Sequence, residues 1–127
     1  MERRPENIIL YKKALEILIL SKSVSKYLAY DLAPLEKNGN ENPFIYFTGD
    51  IVKDSDSLVP RIMDVENQVF QDDRLKHANL LENLTNKLYK NCERLERSHS
   101  NGKDFVRLLR KEVKKFKKLQ RHWMMTL

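Results

Sequence analysis

The stretch that decides the fold lies at residues 103–125 and reads KDFVRLLRKEVKKFKKLQRHWMM. Its apolar residues recur at the period of 3.6 residues that places side chains on one face of an α-helix. They are Phe105, Leu109, Val113, Phe116, Leu119 and Trp123. Because the cations fall on the far side, this stretch predicts an amphipathic helix with one face in a core and a basic face in solvent.

Three earlier segments repeat the helical period and predict helices at about residues 6–32, 44–70 and 72–98. The first stripe contains Ile8, Tyr11, Leu15, Leu18, Ser21, Ser25, Leu28 and Leu32. The second contains Phe44, Phe47, Ile51, Ser55, Leu58, Ile62, Val65 and Val69, and the third contains Leu81, Leu84, Leu88, Cys92 and Leu95. The loop at residues 99–102 is short, and a short loop favours antiparallel neighbours. The sequence therefore predicts an all-α fold, an antiparallel up-and-down four-helix bundle in a single domain over residues 1–127.

Two helices carry residues that predict local features. Pro60 lies in the middle of the second helix, where its missing N–H should kink the chain near Asp56 or Ser57. In the third helix, either Asp72 or Asp73 is expected to cap the N-terminus, where both carboxylates also favour the positive end of the helix dipole.

The first and last helices carry more apolar residues than one buried face requires. The additional residues are Ile9, Ile17, Ile19 and Leu20 in the first helix and Trp123, Met124, Met125 and Leu127 around the end of the last. We expect the bundle itself or a neighbouring subunit to cover them, with a homo-oligomer favoured. Glu112 lies within the apolar arc of the last helix and should pair with a cation from another helix or chain, because an unpaired buried carboxylate is costly.

The composition excludes several classes of protein. Cys92 is the only cysteine, so no intramolecular disulfide can form. Three glycines and four prolines are too few for an all-β domain built on tight turns. Lys12, Lys13 and Glu16 interrupt the first apolar run well short of the ~20 residues that a membrane span needs. We therefore expect no membrane association and a cytoplasmic location.

No residue pattern predicts an enzyme, a cofactor or a metal site. The histidines are His77, His99 and His122; they lie on separate stretches, and none is followed four residues later by a possible metal ligand. Asp50, Asp54 and Asp64 share one side of the second helix, but carboxylate metal sites in bundles need a Glu-x-x-His motif on each of two facing helices, and the sequence offers no such pair of motifs. These carboxylates are expected to pair with the basic last helix instead, within one chain or between chains.

The net charge of +6 is concentrated in one segment, because residues 103–121 hold nine cations against Asp104 and Glu112. The basic stripe of the last helix contains Arg107, Arg110, Lys111, Lys114, Lys117, Lys118 and Arg121. Such a stripe can follow a phosphate backbone, releasing counterions without reading bases, so these are candidate nucleic-acid-binding residues for RNA or DNA. Two other interpretations remain open: a docking face for an acidic protein, and a solvated face that only favours solubility.

A short motif in the second helix is similar to one found in a known family. Residues 51–64 read IVKDSDSLVPRIMD. The basic, small, small, apolar and acidic places of the motif are taken by Lys53, Ser55, Ser57, Ile62 and Asp64. The opening YKKAL at residues 11–15 is also similar, whereas Arg61 stands where the motif usually has Asn.

On these residues the chain resembles the bacterial four-helix-bundle family of 23S rRNA intervening-sequence proteins, with which the accessory variability protein of diversity-generating retroelements groups. The resemblance implies a non-enzymatic bundle that assembles into a ring-like homo-oligomer, expected to be a pentamer. It also implies a basic surface that meets nucleic acid, or a protein already bound to nucleic acid such as a reverse transcriptase.

Overall fold

The computed structural model describes residues 5–127, and residues 1–4 of the expected domain lie outside that range. It contains helices α1 (Pro5–Leu32), α2 (Ile45–Asp56), α3 (Leu58–Glu66), α4 (Gln71–Glu96) and α5 (Lys103–Met124). Because α2 and α3 are two parts of one bent helix, the all-helical fold with four helices is confirmed for the described residues. The boundaries of α1, α4 and α5 lie within two residues of the predicted ones.

The bend between α2 and α3 lies where the sequence predicts it. Ser57 separates the two helices, with φ −85° and ψ −9°. Pro60 has no N–H to donate to the carbonyl group of Asp56, and its ring clashes with that group in a straight helix. The helical hydrogen bonding resumes directly after the bend, because the Arg61 N–H donates to the Ser57 carbonyl at 3.2 Å.

The second helix ends earlier than predicted, at Glu66 instead of Phe70. The side chains of Val69 and Phe70 are 82% and 72% exposed, so no core contact holds these residues in a helix. The Gln68 side chain donates a hydrogen bond to the Asp64 carbonyl at 3.0 Å. In a longer helix that carbonyl would accept from a backbone N–H instead. Val69 is therefore not part of the buried stripe.

The predicted cap of the third helix is also wrong. The residue that precedes α4 is Phe70, which is extended and makes no side-chain cap hydrogen bond. Asp72 and Asp73 lie inside the first turn of α4. There they can interact favourably with the helix dipole, but neither caps the helix.

The buried face of α1 differs from the predicted stripe. The residues of α1 that are buried in the core are Leu10, Tyr11, Ala14, Ile17, Val24, Leu28 and Leu32. Ile8 and Leu15 belong to the predicted stripe, yet their side chains are 44% and 51% exposed. Apolar residues occur on nearly every side of α1, so its sequence period does not select one face. Packing against both α2 and α5 makes that selection.

The core faces of α4 and α5 follow the prediction closely. Leu81, Leu88, Cys92 and Leu95 of α4 are buried, with Leu84 partly buried beside them. In α5 the buried apolar residues are Val106, Leu109, Val113, Phe116 and Trp123. Val106 takes the place predicted for Phe105, which is half exposed. Trp123 docks within its own chain, so this residue needs no second subunit to be covered.

Three polar contacts join α1 to α5 and the loop before it. The indole N–H of Trp123 donates to Asn7 Oδ1 at 2.5 Å, near the start of α1. Lys13 Nζ donates to Glu112 Oε2 at 2.7 Å, and the backbone N–H of Asn101 donates to Asp31 Oδ2 at 3.0 Å. The α2–α3 segment is joined to α1 by hydrogen bonds from Ser25 to the Thr48 carbonyl and from Tyr11 to Glu66.

The expectation that Glu112 pairs with a cation of another helix is confirmed. Its carboxylate contacts Lys13 of α1 at 2.7 Å and Lys115 of α5 at 3.0 Å. The hydrogen bond from Lys13, followed by the one from Lys115, lowers the pKa of Glu112 below its usual range. Ionised Glu112 therefore stabilises the folded chain at neutral pH, and the contribution is lost as the pH falls through its folded pKa.

We predict that Glu112→Gln lowers the free energy of unfolding at pH 7 by about 0.2–1 kcal/mol, the range measured for exposed ion pairs. The difference from the wild type should shrink below about pH 4, where both states become protonated. Urea denaturation at pH 7 and below about pH 4 measures this difference in the free energy of unfolding. The control is Glu93→Gln, at an exposed α4 residue with no cation within 4.0 Å among the described residues. A Glu112→Gln deficit that stays constant with pH would contradict the ion pair.

Candidate nucleic-acid interface

The basic stripe lies on α5, opposite the face that is buried in the core. Five of its seven residues are exposed: Arg107, Lys111, Lys114, Lys118 and Arg121. They are separated by alternating steps of four and three residues, so they form one row about 21 Å long. The other two, Arg110 and Lys117, are partly buried beside α4. All seven candidate residues are thus present on one side of α5 or at its seam with α4.

Acidic residues neutralise only the first part of this row. Arg110 Nε contacts Glu96 of α4 at 2.8 Å. Arg107 contacts Asp104 at 3.5 Å and Glu96 at 3.8 Å. Among residues 5–127, no acidic side chain within 4.0 Å is recorded for Lys111, Lys114, Lys117, Lys118 or Arg121. The uncompensated positive charge is therefore concentrated in the second half of α5.

Tyr89 of α4 brings an aromatic ring to the basic stripe. Arg110 donates to the Tyr89 hydroxyl at 3.2 Å, and this hydrogen bond, followed by the one to Glu96, raises the pKa of Arg110. The ammonium of Lys117 lies 5.0 Å from the ring centroid, within cation–π range. The guanidinium carbon of Arg110 lies 5.8 Å from the same centroid. Tyr89 was not among the sequence candidates, because only the packing of α4 against α5 brings it to this position.

Two shallow hollows follow the seam between α4 and α5. The first holds about 170 Å³ and is lined by Tyr89, Lys114, Lys117, Lys118 and Arg121. The second holds about 220 Å³ and is lined by Glu82, Asn86, Lys117, Gln120 and Arg121. Lys117 and Arg121 line both hollows, so the two adjoin each other along the seam, and we call the pair the seam groove.

A second group of cations lies on α4 and at its C-terminal cap, and the sequence analysis missed it. It consists of Lys87, Lys90, Arg94 and Arg97. Their steps of three, four and three residues place them on one helix face, so the spacing itself could have revealed them. Arg94 stacks over the Phe47 ring at 5.3 Å and donates to Asn91 at 2.9 Å. Part of this group therefore supports packing against α2.

The prediction that carboxylates of the second helix pair with the basic last helix within one chain is wrong. Asp54 is buried and accepts a hydrogen bond from Asn91 of α4 at 3.0 Å, with Lys87 at 3.7 Å. Burial raises the pKa of Asp54, while Lys87 and Asn91 oppose the shift. Asp64 contacts Arg61 of its own helix at 3.9 Å. The reason is positional: α2 and α3 pack on α1 and α4 and make no contact with α5.

The remaining candidates from the sequence are Cys92, a metal site and a membrane-spanning helix. Cys92 is buried in the core, and its burial raises the pKa of the thiol to about 12, which keeps it protonated. Within residues 5–127, no group of three or more His, Cys, Asp and Glu side chains comes close enough to hold a metal ion. No helix in the same range is long and apolar enough to cross a membrane.

Comparison with known proteins adds no relative: no family model matches the sequence, and no curated protein or solved structure is significantly similar to it.

Proposed function

We propose that this protein is a non-enzymatic, oligomeric helical bundle that binds nucleic acid, RNA or DNA, through the basic face of α5. The observation that carries the proposal is the row of exposed cations with no acidic partner within 4.0 Å in the described chain, which consists of Lys111, Lys114, Lys118 and Arg121. A phosphate backbone offers a matching row of negative charges, and each contact releases a bound counterion. These contacts would give affinity without base readout.

The proposal includes the antiparallel up-and-down arrangement of the four helices. The contacts from Asn7 to Trp123 and from Asp31 to Asn101 support opposite directions for α1 and α5. In such an arrangement α5 has two neighbours, α1 and α4, and its outer face is free for a partner.

The resemblance to the 23S rRNA intervening-sequence family agrees with this proposal, and it extends the candidate partners to a reverse transcriptase bound to its nucleic acid. The extension rests on the YKKAL opening and the motif at residues 51–64. Both lie outside α5, so they bear on the fold and on assembly more than on the basic stripe.

A second candidate function is the docking of an acidic protein. Phe105 and Leu108 are half exposed on α5, on the side of the basic stripe that faces α1. Apolar side chains next to cations are a common composition for a protein-binding surface, and a phosphate backbone makes little use of them. The binding experiment therefore includes an acidic polypeptide as competitor.

We predict that the wild type binds structured RNA and duplex DNA with a log–log salt slope of about −3 to −4, as four phosphate contacts would give. The variant Lys111, Lys114, Lys117 and Lys118→Glu should lose this binding. The matched control is Lys26, Lys37, Lys53 and Lys76→Glu, which has the same net charge and changes exposed lysines outside α5. Fluorescence anisotropy across about 50–200 mM salt measures all three proteins.

Equal losses in both variants would mean that net charge alone drives binding, and the basic stripe would not be the site. Absence of binding at about 50 mM salt, where non-specific contacts are strong, would overturn the nucleic-acid proposal. If polyglutamate competes as well as RNA at equal charge, the acidic-protein function is favoured instead.

For the oligomer, we propose that a second copy of the chain covers the outer face of α1. Ile8, Leu15 and Ile19 lie on this face, and Ile19 is 68% exposed. They follow the helical period on a side of α1 that faces neither α2 nor α5. Exposed apolar residues aligned on one helix face in this way are candidates for a protein–protein contact.

We predict that light scattering after size exclusion gives a multiple of the 15.1 kDa chain mass for the wild type. Ile19→Asp should reduce it to the monomer, because the contact would bury an unpaired carboxylate. Val69→Asp is the control, since Val69 is an exposed apolar residue in the α3–α4 loop. A monomeric wild type at micromolar concentration contradicts the oligomer, and the number of subunits tests the expected pentamer.

A further inference from the structure

Tyr89 is an aromatic residue in a groove whose other walls are cationic. In the first hollow of the seam groove, its ring is accompanied by Lys114, Lys117, Lys118 and Arg121. Solubility requires cations but no aromatic ring among them. A phosphate backbone contacted from outside a duplex likewise offers nothing for the ring to contact. The combination is the one found where proteins hold unpaired bases on aromatic rings and phosphates on cations.

We infer, resting on the proposed function, that the seam groove receives an unpaired nucleotide of a single-stranded nucleic acid. The base lies against the Tyr89 ring, and the flanking phosphates contact Lys114, Lys118 and Arg121. A paired base cannot make this contact, because its two faces are covered by neighbouring base pairs. The seam groove therefore favours single strands, loops and ends over uninterrupted duplex.

Arg110 and Lys117 both contact Tyr89, but only Arg110 is held in place by another residue. Arg110 is held by Glu96 at 2.8 Å, and it holds the Tyr89 hydroxyl at 3.2 Å, so it acts as a positioning residue for the ring. Lys117 contacts the ring at 5.0 Å and has no recorded acidic partner in the described chain. Its flexible side chain can leave the ring when a base arrives and can then contact a phosphate.

The second hollow extends the same path. It adds the side chains of Asn86 and Gln120 to those of Lys117 and Arg121. Gln120 is already engaged with Thr85 at 3.3 Å and with the Ala78 carbonyl at 3.4 Å. Asn86 has no recorded hydrogen-bond partner among residues 5–127, so its amide is the group available to the edge of a neighbouring base.

The test compares a short single-stranded RNA with an RNA duplex, using Tyr89→Leu, Tyr89→Phe and the control Tyr30→Leu. Tyr30 is an exposed tyrosine on α1, which does not contact α4. We expect Tyr89→Leu to weaken single-strand binding at least about fivefold, as loss of one stacked base does. Tyr89→Phe keeps the ring but loses the hydroxyl contact with Arg110, so it should bind the single strand more tightly than Tyr89→Leu and more weakly than the wild type. All variants should bind the duplex equally well.

An equal loss on both RNAs, or no loss on the single strand, overturns this inference while leaving a lysine-dependent nucleic-acid interface intact. If the wild type binds neither RNA, the proposed function fails and the inference fails with it. Thermal denaturation checks that Tyr89→Leu is folded. If it is not, photocrosslinking of wild-type protein to a 5-bromouridine-substituted strand decides, because the account expects the crosslink at Tyr89 and a crosslink confined to other residues contradicts it.

Discussion

The rest of the structure depends on the burial of the single apolar face of α5. Leu109, Val113, Phe116 and Trp123 are covered by the neighbouring helices. Each buried side chain of this size contributes about 1.5–3 kcal/mol relative to its exposed state. Turning α5 by one residue, or 100°, would replace some of them with lysine and would bury unpaired charge. The rotation of α5 is therefore fixed, and its cations are held on the outer side.

Polar contacts then decide which of these cations remain available. Glu112 is turned toward α1, where Lys13 pairs with it, so it does not neutralise the exposed row. Glu96 of α4 reaches only Arg107 and Arg110. Lys111, Lys114, Lys117 and Lys118 keep their charge without an acidic partner within 4.0 Å in the described chain, whereas Lys115 pairs with Glu112. The packing that stabilises the bundle thus also produces the surface that we propose for nucleic acid.

The sequence predicted α5 best because its pattern is strict: apolar residues occur on one side and charges on the other. It predicted the face of α1 only in part: Tyr11, Leu28 and Leu32 are buried as expected, whereas Ile8 and Leu15 are exposed although they satisfy the helical period as well as Leu10 and Ile17 do. Only contacts with two neighbouring helices distinguish these sets. The early end of the second helix, at Glu66, was missed because Val69 continues the period without any residue to pack against.

The candidate site was predictable in charge but not in shape. All seven members of the basic stripe could be read from residue spacing on one helix, but Tyr89 belongs to a different helix and nothing in its local sequence marks it. The partner of Asp54 was missed for the same reason, since the contact with Asn91 crosses 37 residues of chain. Contacts between helices require knowledge of which helices are neighbours, and a single sequence without homologues does not contain it.

The central claim is that nucleic acid binds at the basic face of α5. Lysine footprinting of the wild type tests it most directly: an amine-reactive reagent labels the protein with and without saturating single-stranded RNA, and mass spectrometry gives the rate at each lysine. The account predicts slower labelling of Lys111, Lys114 and Lys118, and unchanged rates at Lys26, Lys53 and Lys76. Protection that is spread evenly over all lysines, or that is centred on another helix, would contradict it.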